Sequence, residues 1–116
     1  MADLDIAEKY IPEKAITLLE LIGSLDGHNF QLLKAAIDRC FEQDCYKLIF
    51  DLTKLDYASS AGYSQFVAAM SEALRHNGMI VLVNPTEFVD DVMRRVGLAE
   101  LFPVAKDIHK AAAMFK

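Results

Sequence analysis

Asp51-Leu52-Thr53-Lys54-Leu55-Asp56-Tyr57-Ala58-Ser59-Ser60-Ala61-Gly62-Tyr63 leaves an apolar segment, crosses a polar stretch and enters a helical pattern. Upstream of it, Tyr46 to Leu52 carries Leu48-Ile49-Phe50 between polar residues, short and β-prone enough for a buried strand with Asp51 near its end. Downstream, Tyr63, Phe66, Val67, Met70 and Leu74 recur at three- and four-residue steps until His76-Asn77-Gly78 stops the helix. Strand, polar loop and helix in that order form half of a β-α-β crossover, which predicts a parallel neighbour on each side.

The flanks supply those neighbours. Met79 to Val83 is a further buried strand, and Asn84-Pro85-Thr86 opens a helix with Phe88, Val89, Val92, Met93 and Val96 as its apolar residues and Gly97 as its stop. On the other side, Asn29 to about Glu42 places Phe30, Leu33, Ile37, Cys40 and Phe41 at helical spacing, with Asn29 or Asp26 to cap the entry. Ile16 to Ile22 is apolar enough for a strand covered on both faces and ended by Gly23, while Leu4 to Tyr10 and the turn at Ile11-Pro12-Glu13-Lys14 predict a hairpin with it. Leu101-Phe102-Pro103-Val104 reads as a short edge strand, and Ile108, Ala111, Ala112 and Phe115 as a last helical face. The expected fold is a single α/β domain over 1–116, with a mixed, mostly parallel sheet of four to five strands and about four helices. The functional surface of such a sheet lies in loops at the carboxyl ends of its strands, here Gly23 to His28, Thr53 to Ser60 and Asn84 to Glu87.

Composition narrows the function. The 116 residues are 53% hydrophobic and 25% charged, which suits one folded domain with its own core. A net charge of −5 without a basic patch argues against nucleic-acid or anionic-lipid partners. No apolar run approaches the roughly twenty residues of a membrane span. Met1-Ala2-Asp3-Leu4-Asp5 lacks the features of a secretory signal, so the cytosol is the expected compartment. Cys40 and Cys45 alone can build neither a disulfide framework nor a four-ligand zinc site, and both are expected to be buried thiols. The five glycines form no dinucleotide or phosphate-loop motif, and His28, His76 and His109 show no metal-ligand spacing, so neither cofactor nor metal is expected. An enzyme using Asp51, Asp56 and Ser60 would lack an identifiable base, oxyanion donor set or metal.

What remains is the junction at Ser59-Ser60. A helix N-terminus presents unpaired N–H groups and the positive end of a dipole, which suits a phosphoserine. Serine in that place is also the commonest of caps, and Gly62 can serve simply to bring helix and strand close. Tyr63, on the same first turn, is either a core residue or an interface anchor.

The pattern Phe50-Asp51-Leu52-Thr53, Leu55-Asp56-Tyr57 and Ser59-Ser60-Ala61-Gly62 resembles the signature of STAS domains of the bacterial anti-sigma factor antagonist type. Leu21-Ile22-Gly23-Ser24-Leu25-Asp26 resembles the family's second-strand element. Val81-Leu82-Val83-Asn84 and Val96-Gly97-Leu98 resemble its later strand and helix ending. The resemblance implies a non-catalytic module that binds an anti-sigma factor with serine kinase activity, and is released when one residue at the start of the second helix is phosphorylated. Alignment on Gly62 makes that residue Ser60, with Ser59 the second choice. A phosphatase would reverse the modification. The docking surface implied comprises Asp26, Gly27 and His28 together with Asp56, Tyr57, Ser59, Ser60, Gly62 and Tyr63. Many relatives carry Asp where Ser59 stands, and Gly-Leu-Gly where this chain has Gly62-Tyr63-Ser64. STAS modules also serve as accessory subunits of membrane transport complexes, docking on an ATPase, which is the alternative function.

Overall fold

A computed structural model describes residues 3–115. The chain forms β1 (Leu4–Ile11), β2 (Ile16–Leu25), α1 (Phe30–Glu42), β3 (Lys47–Ala58), α2 (Ser60–Arg75), β4 (Met79–Val83), α3 (Glu87–Arg95), a 3-10 turn at Ala99–Leu101, β5 (Val104–Ala105) and α4 (Ile108–Ala113). The five strands lie in the order β1-β2-β3-β4-β5; β1 is antiparallel to β2, and the others run parallel. This is the mixed α/β sheet expected from the alternation of strands and helices, hairpin included.

The parallel strands read as unbroken apolar runs because both sheet faces are covered. On one face Leu19, Leu21, Leu48, Phe50, Ile80 and Leu82 meet Leu33 and Ile37 of α1, Phe66 and Met70 of α2, and Val89 and Met93 of α3. On the other, Ile16, Leu18, Ile49, Val81 and Val83 meet Ala111 and Phe115 at the C-terminal helix. Burying each of the larger side chains contributes about 1.5–3 kcal/mol.

Several boundaries differ from those expected. β3 does not end near Asp51 but continues to Ala58, so most of the expected polar loop is strand. Two extra residues in β3 explain the disguise. Glu20 and Ile22 pair with Asp51 and Lys54, and Gly23 and Ser24 pair with Leu55 and Tyr57. These bulges put the buried residues Leu52, Leu55 and Ala58 at three-residue spacing, and so erase the two-residue alternation of a strand. The first is held by Asp51, whose Oδ1 accepts from Thr53 N at 3.1 Å and Thr53 Oγ1 at 2.7 Å. β2 likewise passes Gly23 to end at Leu25; Gly23, with φ of 111°, sits at the second shift rather than at a strand end. The edge strand falls at Val104–Ala105, since Leu101 belongs to the 3-10 turn. Cys40 is buried as expected, but Cys45 is only half-buried.

Candidate functional site

The site lies where β2 and β3 end. Ser59 N donates to the carbonyl of Leu25, the last residue of β2, at 2.9 Å, so the β3–α2 junction and the β2–α1 loop are side by side. Within that loop His28 N donates to Asp26 Oδ1 at 2.8 Å, and Asp26 N donates to Asn29 Oδ1 at 2.9 Å. Asn29 Nδ2 in turn donates to the carbonyl of Ser24 at 2.9 Å. Neither Asp26 nor Asn29 caps α1 with its side chain; both are spent on fixing the loop. The structure therefore brings Asp26, Gly27 and His28 to the edge of the Ser59-Ser60 junction.

Ser59 holds the N-cap position of α2 with extended backbone, yet its hydroxyl makes no capping bond. Thr86 at α3 and Asp107 at α4 both accept from their first turns, at 3.5 Å from Val89 N and 2.8 Å from Lys110 N. Among the described residues, the opening turn of α2 thus keeps its N–H groups and dipole end free of a capping side chain. Ser60 is exposed there, while Ser59 Oγ is buried and has no hydrogen-bond partner among the described residues. The hydroxyl accessible to another protein is that of Ser60.

Two residues of the implied docking surface lie beneath it, in keeping with the close-approach reading of Gly62 and the core reading of Tyr63. Gly62 is buried, and a Cβ there would come within 2.7 Å of Leu25 Cγ and Cδ2, so glycine is what lets α2 press onto the end of β2. Tyr63 is 6% exposed and packs edge-on against Phe66, with ring centroids 6.0 Å apart. It is a core residue, and its hydroxyl is a second buried group without a partner among the described residues. Burial, and next the charge of Tyr57, push its phenol up to about 12. Asp56 and Tyr57 are exposed.

Sequence reasoning missed one part of this surface. Of the five apolar residues Phe88, Val89, Val92, Met93 and Val96, only Val89 and Met93 are buried in the core. The other three, spaced by four residues, turn toward α2 and line a groove of about 820 Å³ with Tyr57, Val67 and Leu98. Tyr57 and Phe88 meet at 5.4 Å, and Thr86 Oγ1 donates to the carbonyl of Leu55 at 2.9 Å, fixing α3 to β3. Counting apolar residues at both four-residue spacings in α3 was the available signal for a second face.

The STAS domain family model matches residues 8–111, and the chain belongs to that family. It is 30% identical over 96 residues to BtrV of Bordetella bronchiseptica, which carries the name of an anti-sigma factor antagonist; the match covers 83% of each. Among solved structures, an anti-sigma factor antagonist of Mycobacterium paratuberculosis superposes with a TM-score of 0.85 at 16% identity, covering 97% of this chain and 93% of that one. The Bacillus cell fate determinant SpoIIAA in its phosphorylated form gives 0.74 at 20% identity, covering 95% and 99%. Among the described residues no helix is long and apolar enough to cross a membrane, and no group of side chains is arranged to hold a metal ion.

Proposed function

We propose that this chain, acting as one STAS unit over 1–116, is an anti-sigma factor antagonist that binds an anti-sigma factor with serine kinase activity and releases it when Ser60 is phosphorylated. The observation that carries the proposal is the exposed Ser60 hydroxyl on the uncapped first turn of α2. Its neighbours Asp26, Gly27, His28, Asp56 and Tyr57 complete the surface, with Ser59, Gly62 and Tyr63 supporting it from below. A phosphoryl group adds about −1.5 to −2 charges. In the free protein, the α2 N–H groups can hold that charge, so the fold need not change. In a complex the same charge has to be desolvated. No Lys or Arg occurs between Asp56 and Ser64 to offset it. The module contributes no catalysis of its own in this scheme, works in the cytosol, and needs a phosphatase for reset.

The test is phosphosite mapping on protein from its native cells together with the affinity of the co-purifying kinase for Ser60→Ala and Ser60→Asp variants. Phosphate on Ser60, retained binding by Ser60→Ala and at least about tenfold weaker binding by Ser60→Asp are expected. Equal binding of Ser60→Asp and wild type would overturn the switch.

A further inference from the structure

The end of α1 brings the chain's two cysteines together. Asp44 takes the left-handed conformation with φ of 59°, Cys45 N donates to the carbonyl of Cys40 at 2.9 Å, and Asp44 N donates to the carbonyl of Phe41 at 3.0 Å. These bonds form a Schellman closure, in which the first side chain beyond the turn packs on the last turn of the helix; here the two side chains are those of Cys45 and Cys40. Residues joined by a backbone hydrogen bond have Cα atoms roughly 5–6.5 Å apart, inside the range of about 4.4–6.8 Å that a disulfide spans. Both thiols also meet one hydroxyl of β2. Cys45 Sγ lies 3.2 Å from Thr17 Oγ1. The Cys40 thiol, whose pKa burial and then Glu8 push up to about 11, has the same Thr17 hydroxyl as a hydrogen-bond partner and Cys45 as an electrostatic neighbour. Cys40 is buried, whereas Cys45 is half-buried and lines a cavity of about 330 Å³ that gives a small oxidant a route to its sulfur. This corner sits at the starts of β2 and β3, while Ser60 follows the end of β3, so binding through Ser60 makes no use of it.

We propose that Cys40 and Cys45 are a redox modification site, closing into a reversible intramolecular disulfide when the protein meets hydrogen peroxide, with Cys45 oxidised first and Cys40 as the resolving thiol. Cys45, as its thiolate, attacks one peroxide oxygen. The O–O bond breaks, and the departing hydroxide takes up the proton that the thiol released, giving water and a sulfenic acid on Cys45. The Cys40 sulfur then attacks the Cys45 sulfur. The S–S bond forms, the S–O bond breaks, and the hydroxyl leaves as a second water carrying the Cys40 proton. Two thiols together lose two electrons, and one peroxide becomes two waters. Exchange with a dithiol reductant restores both thiols. Bridges of this kind in cytosolic proteins are usually transient and redox-sensing. The site goes beyond the exchange of protein partners and does not depend on it.

Trypsin cuts after Arg39 and after Lys47, so a single peptide, residues 40–47, carries both sulfurs. The experiment treats the folded full chain with hydrogen peroxide, blocks free thiols with iodoacetamide and weighs that peptide. It is expected to lack two hydrogens and carry no alkyl group, and dithiothreitol before blocking is expected to restore both thiols. With dimedone present to capture sulfenic acid, the ratio of bridged to captured peptide is expected to be at least about tenfold higher for the folded chain than for the chain in urea, because the fold holds the second thiol in place. Cys40→Ser, checked for folding by circular dichroism, is expected to yield captured Cys45 in place of the bridge, which shows that dimedone reaches the site. An equal ratio in the two states would overturn the proposal, since the fold would then not position the pair. Sulfinic Cys45 beside a free Cys40, bridges between chains, or an unoxidised Cys45 in the folded protein would each overturn it as well. All of these failures leave the binding of the kinase to Ser60 variants untouched, so the two ideas fail separately.

Discussion

Replacing Tyr63 by Phe should make the protein more stable, although the residue is almost fully buried. The ring keeps its edge-on contact with Phe66, and only the hydroxyl oxygen, which has no partner among the described residues, is lost. Burying such a group without a hydrogen bond costs about 1–3 kcal/mol in proteins. The hole left by one oxygen, on the order of 10 Å³, costs only about 0.2 kcal/mol at the usual cavity coefficient. The net expectation is a gain of about 1 kcal/mol, or roughly 4 °C in Tm for a domain of this size. Urea unfolding followed by circular dichroism would show a higher midpoint with unchanged slope. Tyr10→Phe, at a tyrosine 55% exposed, should change nothing and serves as the control. A Tyr63→Phe variant less stable than wild type by about 1 kcal/mol would refute the reasoning, because the hydroxyl would then have a partner in solution.

Titration of tyrosinate absorbance should show one of the four tyrosines ionising near pH 12, and Tyr63→Phe should remove that step. Because the folded value lies above the ordinary value of 10.0, the associated stability is complete below pH 10 and is lost as pH rises through 12. Iodoacetamide at mildly alkaline pH should label half-buried Cys45 before Cys40, whose thiol is pushed up to about 11 by burial and then by Glu8; peptide mass spectrometry reads the order. Gly78→Ala should destabilise by about 2 kcal/mol or more in the same urea assay, since a Cβ there would collide with the carbonyl of Tyr46, a backbone atom that cannot rotate away.

The order of elements was legible because parallel strands covered on both faces are continuous in sequence: Leu48-Ile49-Phe50 and Met79 to Val83 needed no tertiary knowledge. The length of β3 was hidden because its bulges depend on pairing with β2, a contact between residues more than twenty positions apart. The Asp51–Thr53 bonds that secure the first of them look, in sequence, like an ordinary polar loop. Within the candidate site, Ser60 stood out through the serine-glycine spacing at a helix start. The partnerless hydroxyls of Ser59 and Tyr63 could not be foreseen, since satisfaction of a polar group is decided by everything packed around it. The double-sided apolar surface of α3 was visible as an excess of apolar residues, but which set faces the core depends on where α3 is anchored, through Thr86, to β3.

Leu25 closes β2 by giving its carbonyl to Ser59 N and its side chain to the floor under Gly62. In sequence drift, the two positions are therefore not free to change separately. A lineage acquiring a side chain at 62 would first have to shed volume at 25, and the intermediate with a small residue at 25 and glycine at 62 would carry a void under α2. That ordering makes the pair a historical record: relatives with alanine or serine at 62 should be found with valine or a smaller residue at 25, rather than leucine.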